Sequence, residues 1–257
     1  MKDSREADAS TSPQRGDATG RSYPRTADGE RLLAAFAEIV EPIGRALPAN
    51  VEIVLHDLSL LPNSIVAVFG DVTGRQIGDP ATDLLLRKAA SGVLETDTGY
   101  ETRLPDGRRL RSSTTIIHDV LGNPVLALCI NSDLSAWQAV ARLAAAMVGE
   151  SETPAGSAAT MESRAEVTRE SFVRDVDELA SMLLHEAVLE AGVPLELMQK
   201  RHKLEVVRAL KARGMFMLRD AVEMVAEALQ VTRFTIYNYL NEIGDGADDA
   251  APDEERW

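Results

Sequence analysis

The stretch Asp220–Asn241, DAVEMVAEALQVTRFTIYNYLN, decides how this chain is read. Asp220 with Glu223 three residues later predicts a capping box at a helix start. Val222, Val225, Ala226 and Leu229 follow as one apolar face at helical spacing. Leu229-Gln230-Val231 breaks that helix, and Thr232 is a good N-cap for the next. In the second helix Ile236, Tyr239 and Leu240 are expected inside. Arg233, Phe234, Tyr237, Asn238 and Asn241 are left outside. A small residue, Ala226, suits two helices crossing at about 90–120° over a tight turn. The outward set suits the major groove of double-stranded DNA. Arg forks onto guanine, Asn onto adenine, and a helix N-terminus at Thr232 accepts phosphate. One position departs from the pattern: Gln230 stands where such turns use Gly, so either it holds a strained left-handed backbone or the turn differs slightly from the usual one. The competing reading of this stretch is a helical hairpin that meets no nucleic acid.

Upstream, a helix is predicted over Glu196–Arg213, closed by Gly214, with Leu197, Leu204, Val207 and Leu210 as its apolar stripe. Lys200, Arg201, Lys203, Arg208, Lys211 and Arg213 stand on it against Glu205 alone. The basic charge is therefore local, although the 257-residue chain carries −14 overall. Basic residues placed this way hold a phosphate backbone without specifying sequence, and Lys203 is the candidate. The acidic tail, residues 245–257, reads as a solvated end or as a competitor with DNA for the basic face.

Two shifts in composition divide the rest of the chain. Residues 1–29 form a polar arm, with no apolar core of a signal peptide, and residues 150–169 a Ser/Thr/Ala/Gly/Pro-rich linker. Between them, residues 30–149 mix helix and strand. Leu32, Leu33, Phe36, Ile39, Val40 and Ile43 recur at helical spacing. Val51, Ile53 and Leu55 alternate with Glu52, Val54 and His56, and Ser64–Phe69 is a second short strand. A helix is expected to open at Asp79-Pro80. Pro105-Asp106-Gly107 and Gly122-Asn123-Pro124 are turns joining three further strands. The predicted fold class is α+β: a mostly antiparallel five-stranded sensor domain with helices over one face, then an all-helical domain over residues 170–244. Leu134–Met147 and the stripe Phe172, Val176, Leu179, Leu183 are the two candidate seams of a homodimer.

No run of 18 or more apolar residues predicts a membrane span. A single cysteine, Cys129, excludes an internal disulfide and fits a reducing cytoplasm, where it reads as a small buried hydrophobe. Nucleophile elbow, phosphate loop and metal-ligand spacing are all missing, so neither an enzyme nor a cofactor is expected. A sheet under helices is expected to enclose a small cavity for an effector. Its candidate lining is His56 and Asp57, Arg75, Asp79, the run Ser112, Ser113 and Thr114, and Asn131 with Asp133, with Arg75 placed to grip a carboxylate metabolite. Plainer roles stand beside these: His56 as a structural strand-end residue, Asp79 and Asp133 as helix caps. A sensor acting through protein contacts alone, without sequence-specific DNA binding, is the alternative function.

These blocks resemble the YheO-like PAS-domain regulators, also called the DauR family. The stretch RGMFMLRDAVEMVAEALQVTRFTIYNYLNEI is similar to that family's DNA-binding domain. VEIVLHDL, NSIVAVFGDVTGRQIGDPATD, RSSTTIIHD and ALCINSD resemble its sensor domain. The resemblance covers Glu30–Asp133 and Glu170–Gly244 and implies a PAS-like sensor joined to a helix-turn-helix that controls transcription. Phe69-Gly70-Asp71 departs from the Asn-Gly pair expected of the family.

Overall fold

A computed structural model describes residues 23–148 and 170–248, with side chains up to Gly244. The predicted linker, the arm up to residue 22 and most of the acidic tail lie outside the described residues. The first helix, α1 (Ala27–Ala46), starts inside the expected arm, because the Thr26 side chain accepts from the Gly29 N–H as an N-cap.

Five strands follow in one antiparallel sheet: β1 (Val51–Asp57), β2 (Ile65–Phe69), β3 (Asp97–Arg103), β4 (Arg109–His118) and β5 (Pro124–Asp133). Their spatial order is β2-β1-β5-β4-β3. The two turns predicted from Pro105-Asp106-Gly107 and Gly122-Asn123-Pro124 join β3 to β4 and β4 to β5. The α+β class holds, with a correction: both faces are covered. On one face α1 lays Val40, Leu32, Leu33 and Phe36 over Ile53, Leu55 and Leu126. It comes so close to β2 at Gly44 that a Cβ there would overlap the Phe69 ring. On the other face lies α2 (Asp83–Ser91), whose Leu85, Leu86 and Ala89 share a core with Ile116 and Ala127.

The helix expected at Asp79-Pro80 begins four residues later. Thr82 is its N-cap, accepting from the Leu85 N–H. Asp79 instead accepts from the Gln76 N–H and closes a loop turn.

After β5, α3 (Ser135–Val148) leaves the sheet with Asp133 accepting from the Ser135 N–H at its start. The C-terminal half is helical throughout: α4 (Val176–Glu190), α5 (Lys200–Ala212), α6 (Ala221–Ala228) and α7 (Arg233–Asp248). The helix predicted from Glu196 is split, a 3-10 turn at Leu195–Leu197 preceding α5. The Phe172–Leu183 stripe is an internal one. Leu179 and Leu183 are buried among α5 and α6 residues of the same chain. The two halves share that core: α2 contacts α5, and Gly214 in the left-handed region sits against the Leu86 carbonyl, where a Cβ would come to 2.9 Å.

Candidate functional site

The turn between α6 and α7 has the geometry that Gln230 foretold. Gln230 is left-handed at φ 52. Its N–H donates to the Glu227 carbonyl, and the Val231 N–H donates back to Ala226 at 2.9 Å. This pair of bonds is a Schellman ending, which satisfies the last carbonyls of α6 and turns the chain sharply. Thr232 then starts α7, accepting from the Thr235 N–H. The capping box expected at the other end of α6 is not formed. Asp220 is itself left-handed, at φ 58, and its side chain caps no N–H.

Ile236, Tyr239 and Leu240 are buried, so α7 is pinned by one face. Arg233, Phe234, Tyr237, Asn238 and Asn241 are exposed on the other, and Thr232 is exposed at the N-terminus. Arg233 is held only loosely, its guanidinium 3.8 Å from Glu223 and 5.7 Å from the Phe234 ring centre. Lys203 departs from its expected role: its ammonium donates to the Leu229 carbonyl at 2.8 Å, tying α5 to the end of α6. Lys200, Arg201 and Arg208 are the exposed cations of α5, with Lys200 paired to Glu242 at 2.9 Å.

The second site is the sheet face under α2. Strand alternation brings Glu52 and His56 (β1), Asn131 and Cys129 (β5), Ser112 and Thr114 (β4), and Tyr100 and Thr102 (β3) to one side. The pairings Glu52 with Asn131 and Asn131 with Ser112 set this register. The result is a buried polar sheet face in a domain whose opposite face is apolar. Thr102 meets Ser112, Ser112 donates to Asn131 Oδ1 at 2.9 Å, and Asn131 donates to Glu52. Glu52 also accepts from the Thr73 N–H and hydroxyl, and Thr73 accepts from Arg75 Nε at 3.3 Å. Tyr100 and Thr114 share a hydrogen bond of 2.8 Å.

Of the predicted lining, His56, Arg75, Ser112, Thr114 and Asn131 meet here. Ser113 does not. It pairs with Ile130 on the α1 side of the sheet, and its hydroxyl accepts from the Gly99 N–H. Asp79 is in the loop turn already described. Sequence reasoning missed Glu52, Tyr100 and Thr102, which the same two-residue alternation carries, and Glu170, which nothing in the sequence places there.

Glu170 comes from the segment leading into α4 and is buried, accepting from Thr82 Oγ1 at 2.8 Å. Burial pushes its carboxyl up to about 7, against the opposing pull of the Thr82 hydroxyl and Arg75. His56 is fully enclosed beside Ser64, 2.9 Å from Nδ1 to Oγ, and burial with Arg75 nearby holds it well below its ordinary value. It is therefore neutral. Burial pushes the Cys129 thiol up to about 11, which makes it inert, as expected of a small buried residue. Two buried atoms of this face have no hydrogen-bond partner among the described residues: Arg75 Nη1 and Glu170 Oε2. Orphans of this kind are uncommon in folded proteins. Among the described residues no group of His, Cys, Asp and Glu is placed to hold a metal ion, and no helix is long and apolar enough to cross a membrane.

Comparison with known proteins agrees with both halves. Residues 27–149 match the YheO-like PAS domain, and residues 179–241 match an HTH domain. The transcriptional regulator DauR of Pseudomonas aeruginosa is 28% identical over 222 residues, 84% of this chain and 96% of that protein. An uncharacterized protein of Haemophilus influenzae is 25% identical over 86% of this chain and 95% of its own length. YheO of Escherichia coli K12 is 26% identical over 84% and 86%. No solved structure matches the chain. A PAS domain ahead of an HTH domain is the architecture of a DNA-binding transcription regulator, and this chain carries a YheO-like PAS domain followed by an HTH domain.

Proposed function

We propose that this regulator reads an operator with α7 and that a small molecule bearing a carboxylate, held at Arg75, controls the reading. The row Arg233, Phe234, Tyr237, Asn238 and Asn241, exposed above a buried Ile236–Leu240 face, carries the DNA half. An exposed helix with that row can enter a major groove, with Thr232 and the α7 N-terminus toward a phosphate. Selection of bound genomic fragments supplies the operator. Arg233→Ala then weakens it by about 1–3 kcal/mol and relaxes one base pair. Arg208→Ala weakens all sequences alike. Unchanged operator affinity in Arg233→Ala removes α7 from the groove.

The sensing half rests on Arg75, 4% exposed and with its Nη1 unpaired among the described residues. A guanidinium so placed takes a carboxylate oxygen as a charge-assisted partner. A thermal-shift screen of amino and keto acids on the parent and on Arg75→Gln tests it. Equal shifts in both remove Arg75 from the site.

Two half-sites about 34 Å apart require two copies. The second copy docks on α3, which has no buried residue and exposes Trp137, Val140, Leu143, Met147 and Val148. An apolar stripe on one side of a helix is ordinarily covered. Residues 1–22 and 149–169 contain no Leu, Ile, Phe or Trp, so they offer no apolar stripe to cover it. The start of α3 and the end of α1, with exposed Ile39 and Ile43, meet at one end of the sheet, where Asn50 donates to the Asp133 carbonyl at 2.8 Å. Light scattering is expected to show a dimer that Leu143→Glu dissociates. A monomeric parent, free and on DNA, overturns the dimer.

A further inference from the structure

Residues 170–174 belong to the DNA-binding half by sequence but are seated in the sensor. Glu170 bonds Thr82, and the Ser171 N–H donates to Asp83 Oδ1 at 2.6 Å. The Phe172 ring lies under the Arg75 guanidinium, 5.2 Å from its centre, in a small apolar cluster with Val72, Leu104 and Leu110. Val173 is buried in the core that includes α4, and Arg174 lies against Gly74. Two residues later α4 begins and carries this anchorage into the helix-turn-helix domain. The segment is a strap with a carboxylate at its head and the sensor's buried arginine beside it.

We propose that this strap is a built-in occupant of the effector site: the Glu170 carboxyl and the carboxylate of an incoming effector compete for the ground beside Arg75, and an effector that wins frees the DNA-binding domain from the sensor. The inference rests on the sensing role of Arg75 given above. Its first support is the pair of orphans. The rest of the polar face is bonded residue to residue, yet Arg75 Nη1 and Glu170 Oε2, one on each side of the junction between sensor and strap, are left open. A structural salt bridge would have closed them on each other, since a buried charge left unpaired is costly. The second support is the ease of displacement. Burial disfavours the ionised form of Glu170, whereas a ligand carboxylate that pairs with Arg75 Nη1 recovers a charge-assisted bond the strap does not make. The third is connectivity. A ligand shifts an equilibrium only through different affinities for its two states, and here the strap-seated state blocks the ligand's own position.

Sodium acetate serves as the probe, because it matches the carboxylate end of Glu170. In the full chain Glu170→Ala is expected to speed hydrogen exchange of the Ser171–Val173 amides about tenfold, as the segment opens locally. Acetate is expected to raise the melting temperature of Glu170→Ala more than that of the parent. Sodium chloride of equal ionic strength should not, and Arg75→Gln added to Glu170→Ala should abolish the gain. If the parent responds to acetate through Arg75 and Glu170→Ala gains nothing further, sensing stands and the competition is overturned. If neither protein responds, both are overturned. If Glu170→Ala does not fold, Glu170→Gln takes its place in the exchange measurement, where an unchanged rate at Ser171–Val173 counts against the strap.

Discussion

The core of the helix-turn-helix and the inner face of the sensor sheet are equally buried and chemically opposite. Around α6 and α7 the enclosed side chains are Val222, Val225, Ala226, Leu229, Ile236 and Leu240, and the backbone ends are closed by the Schellman turn and by Lys203. Under α2 the enclosed side chains are Glu52, His56, Arg75, Ser112, Thr114, Asn131 and Glu170. The first arrangement fixes one shape, because apolar packing is lost as soon as it is loosened. The second holds its shape only while each polar atom has a partner, and two atoms lack one among the described residues. A reading head has to be rigid to hold its outward row in register. A sensor has to have two states of similar free energy. On the function proposed above, each kind of core lies where that need arises.

The largest expected effect is in the reading head. Ile236 is fully buried between α7 and α6, so Ile236→Ala should cost about 2–5 kcal/mol, the range for truncating a core aliphatic residue. The comparable change on the polar face, Thr102→Val, removes one hydroxyl from the Ser112 bond and keeps the volume, and should cost about 1 kcal/mol. Urea unfolding of both variants checks the contrast. If Thr102→Val costs as much as Ile236→Ala, the polar face is as rigid as the apolar one and the distinction fails.

Much of the apolar core was legible in the sequence, because helical spacing and a period of two report directly on which residues face inward. Ile236, Tyr239 and Leu240 were placed correctly by that rule, and so was the left-handed Gln230, whose conformation the turn itself demands. The polar site was legible only in part. Thr114 and Asn131 lie on the face that alternation assigns them, but Ser113, their neighbour in the same hydroxyl run, points to the opposite face. Glu52 sits between apolar strand residues and gave no sign that three donors converge on it. Glu170 lies 88 residues from Thr82, and only the folded chain brings them together. Asp220 failed as a cap for a related reason: the spacing to Glu223 was right, but a backbone at φ 58 turns the side chain away.

A middle-sized effect should appear with pH, and it belongs to the polar face alone. Glu170 is raised from 4.5 to about 7, chiefly by burial, so the seated strap favours the protonated carboxyl. The sign follows. The folded state holds a proton that the unfolded chain gives up, so this contribution is full below about pH 4.5 and fades as pH rises through about 7. Thr82 and Asp83 of α2, Arg75 of the preceding loop and Tyr100 of β3 are the groups that face it. Neutral His56 works in the opposite sense, since acid favours its charging in the unfolded chain. Glu170→Gln separates the two. The stability of the parent relative to Glu170→Gln should fall between about pH 5 and pH 8, while the share due to His56 stays common to both. A flat difference across that range would mean that the carboxyl is not enclosed as described.

The smallest effect tests the one strained residue of the rigid half. Gln230 is held at φ 52, where a side chain crowds its own backbone by roughly 1–2 kcal/mol and glycine does not. Gln230→Gly removes that strain but gives the unfolded chain more freedom, which offsets part of the gain. A net stabilisation of up to about 1 kcal/mol is expected, because the second effect is the smaller at a position already in the left-handed region. Both turn bonds are made by main-chain N–H groups, so the variant keeps them, and Arg233 and Asn238 stay where they are. Stability should therefore rise with no change in operator affinity, measured by urea unfolding and by titration of a labelled duplex. A loss of stability would show that the Gln230 side chain holds the turn by a contact worth more than its strain. A loss of affinity would place the turn itself on the DNA, and the boundary between the scaffold and the reading surface would then run through residue 230.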